Sequence, residues 1–568
     1  MTIPAPWLSQ YGHIPAHLDY PDLSMVQLVE RACAATPDLT ALEFQGCRTS
    51  YAQLRRQIDR CARALAAAGV RPGDRVTLCL PTTPQAVYLL YAVNQVGALA
   101  NMIHPLSGQE EILTLLKMSD SRFAVTLDLF YGKFAAIQAR SPLKTLVVTD
   151  IGDALPPPKR ALYALTAGRK APAIPQGAPV LRWRDFLSAG QTNTGECRVP
   201  RRGEDAAVIL YSGGTTGKPK GIVLSNRNFN ALALQTGAAG DCLHPGHKML
   251  SILPMFHGFG LGVCVHTVLV HSGRCILIPR FHADQFGRLL RRHRPHYLAG
   301  VPTLFEAMLR SPHLKKADFS QLEGVFSGGD SLSVELKRKI DAFLTAHGST
   351  EQVREGYGTT ECVTASCLTP RRTWREGSIG IPFPDTYYQI VAPGGQQALP
   401  YGQVGEICIS GPTVMQGYLD QPEETARVLQ RHPDGALWLH TGDLGYMDED
   451  GFVYFRQRMG RMIITSGYNV YPSQVENVLD AHPAVRMSTV IGVKDDYRMQ
   501  AVRAYVVLQE GVPATDDTRA RLRAWCQERM ARYAVPRDFV FRDSLPQTAV
   551  GKVAYTELER EAEQAAQS

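Results

Sequence analysis

Paired cysteines are missing from this chain: its twelve cysteines include no CxxC. Scattered singly, they exclude a zinc ribbon and a disulfide framework. They read as small buried hydrophobes of a reducing compartment, so a cytoplasmic location is expected. Charge of one sign is scarce as well, with 60 Lys+Arg against 53 Asp+Glu and a net charge of +7. Over this length that is too mild for nucleic-acid binding, though it suits small anionic ligands. No apolar run reaches the ~20 residues of a membrane span; the longest, 259–270, includes His266. The first eight residues carry two prolines and no positive cluster before an apolar run, so no secretion signal is expected. Internal repeats, low-complexity tracts and coiled-coil heptads are absent too.

What is present describes a globular α/β protein. Hydrophobic residues make up 45% and charged residues 20% of 568, ordinary values for a soluble chain too long for one core. Helical spacing at Leu54, Ile58, Cys61 and Leu65 is followed by a turn and a strand over 75–80. Further strand-like runs at 145–148, 208–211, 275–279, 297–301 and 324–326 alternate with helix-length segments. This is the pattern of parallel sheets flanked by helices. A Pro/Gly-rich irregular stretch, 155–200, separates a first lobe from a second. After Gly380 short strands and turns (388–391, 405–409) suggest a β-rich subdomain. A smaller α+β unit begins near Gly460, with strands at 462–465, 485–493 and 501–508 and helices at 473–481 and 517–533. The expected division is 1–458, with subdomains of about 1–200, 201–380 and 381–458, followed by 459–568.

The most informative segment is YSGGTTGKPKG, 211–221, directly after the hydrophobic run 206–210. Backbone N–H groups around Gly213, Gly214 and Gly217, the hydroxyls of Ser212, Thr215 and Thr216, and the charges of Lys218 and Lys220 could all address one polyphosphate. A flexible basic surface loop is the alternative. The P-loop of kinases and nucleotidases is excluded, because the glycine it needs six positions before the lysine is Ser212, and Pro219 stands where Ser or Thr should follow Lys218.

This loop resembles, residue for residue, the signature of the adenylate-forming superfamily of acyl-CoA synthetases, adenylation domains and luciferases. Further signatures of that family follow in order: SGGDSL at 327–332, YGTTE at 357–361, TGD at 441–443, Arg458, and LPQTAVGK at 545–552. The resemblance implies a large N-terminal domain and a mobile C-terminal lid. It implies that Gly328, Gly329 and Asp330 line the adenine pocket, with Gly356, Tyr357, Gly358 and Thr359 alongside and Tyr357 packing on the base. It gives Thr360 an α-phosphate contact, Glu361 a Mg²⁺ ion, and Asp443 and Arg458 the ribose. Lys552 then bridges the substrate carboxylate and the α-phosphate. The lid is expected to turn about Gly460, which removes Lys552 and brings Gly467 to the thiol tunnel. Glycine suits a hinge, although relatives often carry Asp or Lys there and an acidic residue where Arg461 stands.

Two other readings of GGDSL, a carrier-domain serine and a lipase nucleophile, do not fit a mid-chain position after a buried strand. Lys552 read alone would be an ordinary exposed lysine.

The resemblance also bears on the acid. Amino-acid adenylation domains place an aspartate after a phenylalanine to pair with the substrate ammonium, whereas here Phe256 precedes His257. A buried ammonium without a carboxylate partner is costly, so amino acids are disfavoured. His257 resembles the position that gates the acyl pocket of many CoA ligases; a packed surface histidine is the alternative. Gly258, Gly260 and Gly262 read as leaving room for an acyl chain beside the apolar run 261–270.

A medium- or long-chain fatty acid is therefore expected, activated by ATP with Mg²⁺ to acyl-AMP and passed to CoA. An aryl acid, a carrier-protein phosphopantetheine as acceptor, and a non-catalytic acyl-nucleotide binder remain as alternatives. The segment 158–170, with Lys159, Arg160, Arg169 and Lys170 around Leu162, Tyr163 and Leu165, reads as a basic amphipathic helix for an anionic membrane surface or as a solvated helix on an insertion.

Overall fold

A computed structural model describes residues 3–193, 195–213, 219–465, 468–495, 498–548 and 551–567. Two large sheets dominate. One has eight strands, and its central strands Leu99–Met102, Arg75–Cys79, Phe123–Leu127 and Thr145–Thr149 are parallel. Every residue of Phe123–Leu127 is buried, as expected where helices cover both faces of a parallel sheet. The other has nine strands, with a parallel centre of Lys248–Ser251, Arg274–Leu277, Tyr297–Gly300, Gly324–Ser327 and Val353–Tyr357. The fold is thus the parallel α/β arrangement read from the alternating pattern.

The sheets interleave in sequence. Strands Thr40–Phe44 and Cys47–Ser50 join the nine-stranded sheet, while Leu181–Arg182, Ala206–Gly213, Pro219–Ser225 and Gly417–Tyr418 complete the other. Chain segments therefore cross the 200/201 boundary in both directions. Local signals start the helices between them: Ser24, Ser50 and Ser225 each close a capping box with the residue three positions on, satisfying N–H groups the first turn leaves open.

The stretch 155–200 is more regular than its composition implies. It holds helix Pro157–Leu165 and helix Trp183–Gln191. The second packs on helix Tyr51–Ala67 so closely that a Cβ on Gly190 would stand 2.6 Å from the Ala64 nitrogen. Phe259–Thr267 winds as a π-helix, a form that is frequent at functional sites. No described helix is long and apolar enough to cross a membrane.

Two five-stranded sheets complete the chain. The first joins Tyr387–Val391, Gly405–Ser410, Leu429–Arg431, Leu437–Met447 and Val453–Arg458. The second joins Ile463–Thr465, Tyr468–Val470, Val485–Asp495, Met499–Leu508 and Asp538–Phe541, and it has a hydrophobic core of its own that includes Val475, Leu479, Val490, Val506 and Leu522.

Candidate active site

Strands Ala206–Gly213 and Pro219–Ser225 form an antiparallel hairpin paired out to Gly213 opposite Pro219, with Ser212 opposite Lys220. Gly214, Thr215, Thr216, Gly217 and Lys218 lie outside the described residues. Lys220 is held away from an open surface. Its Nζ is 3.0 Å from Glu424 Oε2 and 4.7 Å from the centre of the Tyr418 ring.

The adenine signatures meet where two neighbouring strands end. Gly328 follows strand Gly324–Ser327, and a Cβ on it would stand 2.9 Å from the Gly356 carbonyl. A Cβ on Gly358 would meet the Thr364 carbonyl at 2.5 Å. Only glycine allows backbone this close.

Tyr357, at the end of Val353–Tyr357, donates its hydroxyl to Asp443 Oδ2 at 2.7 Å. Arg458 is the cross-strand partner of Asp443, and its Nε lies 3.2 Å from Asp443 Oδ1. Asp443 is 2% exposed. Burial pushes its carboxyl up from the ordinary range, opposed chiefly by the Arg458 guanidinium. Its Oδ1 is buried without a hydrogen bond of good geometry, and an acceptor left in that state is suited to a donor hydroxyl. Burial and then the Asp443 charge hold the Tyr357 phenol well above its ordinary value, so it donates as a neutral hydroxyl.

Thr359 leads into a single turn, Thr360–Cys362, which sets Glu361 beside the hairpin. Tyr418 donates to Glu361 Oε1 at 3.0 Å, and the Glu361 carbonyl accepts from Met415 N at 2.7 Å. Tyr418 was not legible as a partner of Glu361, because 57 residues separate them and no spacing rule connects the two.

Lys552 reaches this same place from the C-terminal unit. A Cβ on Gly329 would stand 3.2 Å from Lys552 Cε and 3.7 Å from Nζ. Two hydrogen bonds hold the flanking backbone: Thr303 Oγ1 donates to the Gly551 carbonyl at 2.7 Å, and Val553 N donates to Asp330 Oδ2 at 3.3 Å. Burial pulls the Lys552 ammonium down from the ordinary lysine value, the Asp330 charge opposes that, and Arg458 adds to it. Thr303 also escaped sequence reading, since its partner is 248 residues away.

At the junction of the two units, Gly460 sits in the turn Met459–Arg461 with open space around it. Arg461 turns into the C-terminal unit, 3.1 Å from Glu476 Oε1 and over the Tyr555 ring at 4.1 Å. Gly467 lies outside the described residues.

His257 begins the turn into the π-helix. Its Nδ1 accepts from Phe259 N at 3.2 Å, which leaves Nε2 as the protonated nitrogen of a neutral ring. Burial first, and the Lys552 charge second, lower its pKa to about 3. The neighbouring Phe256 ring stacks on His104 at 4.1 Å.

The three glycines that follow correct an expectation. The space beside Gly258 is taken by Thr364 Cβ at 3.1 Å, that beside Gly262 by Leu232 Cδ2 at 2.6 Å, and a Cβ on Gly260 would collide with the Pro254 carbonyl. They let the π-helix press against neighbouring chain; they do not widen a cavity.

The nucleotide signatures, the lysine and His257 therefore converge, and the sequence matches agree with that geometry. The AMP-binding enzyme family model matches residues 29–419, and the AMP-binding enzyme C-terminal domain model matches 474–552. The chain belongs to this family. A long-chain-fatty-acid–CoA ligase of Bacillus subtilis (strain 168) is 35% identical over 558 residues, 96% of each chain. A feruloyl-CoA synthase of an Amycolatopsis species is 32% identical, over 93% of this chain and 97% of its own.

Among solved structures, ATP-bound MatB from Rhodopseudomonas palustris is 27% identical. It superposes with a TM-score of 0.81 over 96% of this chain and 100% of that one, whereas the apo form of the same protein gives 0.72. The family is adenylate-forming and uses ATP and CoA, and the chain is an acid–thiol ligase.

Proposed function

We propose that the chain activates a long-chain fatty acid as acyl-AMP and transfers it to CoA, with residues 1–458 as the nucleotide-binding body and 459–568 as the lid. The observation that carries this reading is Lys552, lodged against Gly329 and within the electrostatic reach of Asp330, Asp443 and Arg458. An ammonium there can bridge an attacking carboxylate and the α-phosphate, offsetting charge as it develops. Asp443 Oδ1, buried without a hydrogen bond of good geometry, takes a ribose hydroxyl, and Arg458 steadies that carboxylate. The closely packed backbone of Gly328 and Gly356 is the wall on which the base lies. Thr360 takes the α-phosphate in this reading, and the segment 213–218 the outer phosphates.

Glu361 offers carboxylate oxygen, the donor a hard cation prefers. The side chains present fit Mg²⁺, which when bound would neutralise phosphate charge. Neutral His257 borders the acyl side, where it positions the carboxylate without adding charge. Lys552 must then withdraw to let CoA approach. Open space around Gly460 is compatible with that turn.

The fatty-acid preference is supported by the Bacillus relative. An aryl acid is the second reading, supported by the feruloyl-CoA synthase. Pyrophosphate release measured across fatty acids of increasing length and against cinnamic-type acids separates them: a fatty acid should give the higher kcat/KM, and an aryl optimum overturns the preference. CoA is read as the acceptor, and a phosphopantetheinylated carrier protein tested beside it decides that point.

Helix Pro157–Leu165 leaves Leu162 and Leu165 more than 60% exposed. We infer that it rests on a bilayer from which such an acid could be drawn. The double variant L162E/L165E should lose co-sedimentation with anionic vesicles, and unchanged binding refutes this.

A further inference from the structure

One buried cluster of potential ligands stands apart from the active site, on the sheet built around Gly405–Ser410 and Leu437–Met447. Cys408 and His440 are cross-strand partners there, and His432 follows the neighbouring strand Leu429–Arg431. All three are buried, at 0%, 7% and 4% exposure in that order. The Cys408 sulfur and a ring nitrogen of each histidine lie within 4.8 Å of one another.

Hydrogen bonds around the two rings decide what they present inward. His432 Nδ1 is 2.8 Å from Gln389 Oε1, and His440 Nδ1 is 2.9 Å from Glu406 Oε2. Glu406 only accepts, and with the Gln389 amide oxygen turned to its ring each Nδ1 carries its ring's proton and each Nε2 of a neutral ring is a bare lone pair. Those two Nε2 atoms face each other at 2.9 Å. Two lone pairs at that distance need a cation between them, either a metal ion or a shared proton. An Nδ1–H held by a carboxylate or amide oxygen is also the outer support that metal-bound histidines carry. A thiol beside two imidazoles makes a soft donor set.

We propose that Cys408, His432 and His440 bind one transition-metal ion, Zn²⁺ in the first instance, as a structural tie across this sheet. Cys408 binds as thiolate, its proton released to solvent. Loading spreads the two Nε2 atoms by a few tenths of an ångström, to suit Zn–N bonds of about 2.0–2.1 Å. The tie reaches the active site, because the other oxygen of Glu406 accepts from Gly442 N at 3.0 Å, and Gly442 precedes the ribose-binding Asp443.

A second group, His247, His296 and Glu323, is only half-buried. Its two rings stack face to face at 4.1 Å, and His247 Nδ1 is 2.8 Å from Glu323. His296 Nδ1 is already taken by Lys248 N at 3.1 Å, and His247→Ala serves as the control.

The full chain, expressed with added Zn²⁺ and purified without a histidine tag or chelator, should carry zinc equimolar with protein. C408S and H432Q should both fall to background while H247A keeps its zinc. Refolding in Co²⁺ should give a thiolate-to-cobalt charge-transfer band in the wild type that C408S lacks. Circular dichroism and a cooperative thermal transition certify that each variant is folded, and if C408S does not fold, H432Q decides. Zinc-free wild type with no cobalt–thiolate band overturns the proposal and leaves a shared proton between the rings. Zinc that survives H432Q, or that is lost in H247A, overturns it equally.

Discussion

Lys552 lies against Gly329, within 3.2 Å of where a side chain at that glycine would begin. Gly329 has φ of +84°, a conformation that costs other residues about 1–2 kcal/mol. The contact ties the C-terminal unit to the nucleotide side of the body, so a small change at 329 should be felt by the lysine.

Gly329→Ala adds both backbone strain and a steric push on Lys552. With about 1 kcal/mol lost from the closed state, acyl-AMP formation should fall about fivefold or more. Thioester formation from supplied acyl-AMP should be unchanged, because that step does not use the docked lysine. Pyrophosphate release and thioester assays run separately check this, and equal losses refute it.

The Lys552 ammonium is pulled below the ordinary lysine value by burial. In the proposed reaction it is the protonated form that stabilises charge at phosphorus, so activity should be present below this pKa and lost as pH rises through it. The kcat/KM profile of acyl-AMP formation should therefore show an alkaline limb below the value of a free lysine. The thioester half-reaction should lack that limb. Lys552→Ala should cost acyl-AMP formation about a hundredfold or more, the scale of removing one preorganised donor, and abolish the limb.

Much of this layout was legible in the chain, and the failures have physical causes. The strand Thr145–Thr149 announces itself because a parallel strand buried on both faces needs a near-continuous apolar, β-branched run, here TLVVT. The order of the nucleotide signatures is likewise a linear property. Contacts such as Tyr418 with Glu361 or Thr303 with Gly551 are not, because folding brings together residues that no local period connects. Gly258, Gly260 and Gly262 show a different limit. A missing side chain can mean an open cavity or a neighbour pressed against backbone, and sequence does not distinguish the two. Helix Trp183–Gln191 was hidden for a third reason: its packing on Tyr51–Ala67 overrides the irregular composition around it.

Asp443→Asn keeps the shape of the proposed ribose site but removes the charge that Arg458 faces and Tyr357 donates to. Hydrogen bonds to charged groups contribute about 1.5–3 kcal/mol, so KM for ATP should rise roughly ten- to a hundredfold. KM for the acid should move little. Because burial raises the Asp443 pKa, nucleotide affinity in the wild type should weaken as pH falls through that raised value. The Asn variant should not show this acid-side loss. Isothermal titration with ATP from neutral to acidic pH measures both.

His257, with a pKa near 3, stays neutral across the working pH range. A limb near the ordinary histidine value should therefore not originate from it, and any such limb should persist in His257→Ala. That variant should raise KM for the acid about tenfold, the loss of one hydrogen-bonding and packing partner, with KM for ATP unchanged. An acid-side limb that disappears with His257 contradicts the neutral assignment.

Thr303→Val tests whether the lysine needs its flanking backbone held. The substitution keeps a branched side chain of similar size and removes only the hydroxyl that donates to the Gly551 carbonyl at 2.7 Å. A net hydrogen bond contributes about 1 kcal/mol, so if closure is a rapid equilibrium the closed population and acyl-AMP formation should fall about fivefold. Thermal stability of the body should be nearly unchanged, since Thr303 is only half-buried. The decisive measurement is a cycle with Lys552→Ala. If Thr303 acts by presenting the lysine, it should have no further effect once the lysine is gone, a non-additivity expected of coupled residues. An unreduced fivefold loss in the Lys552→Ala background would mean that Thr303 supports the site by some other route.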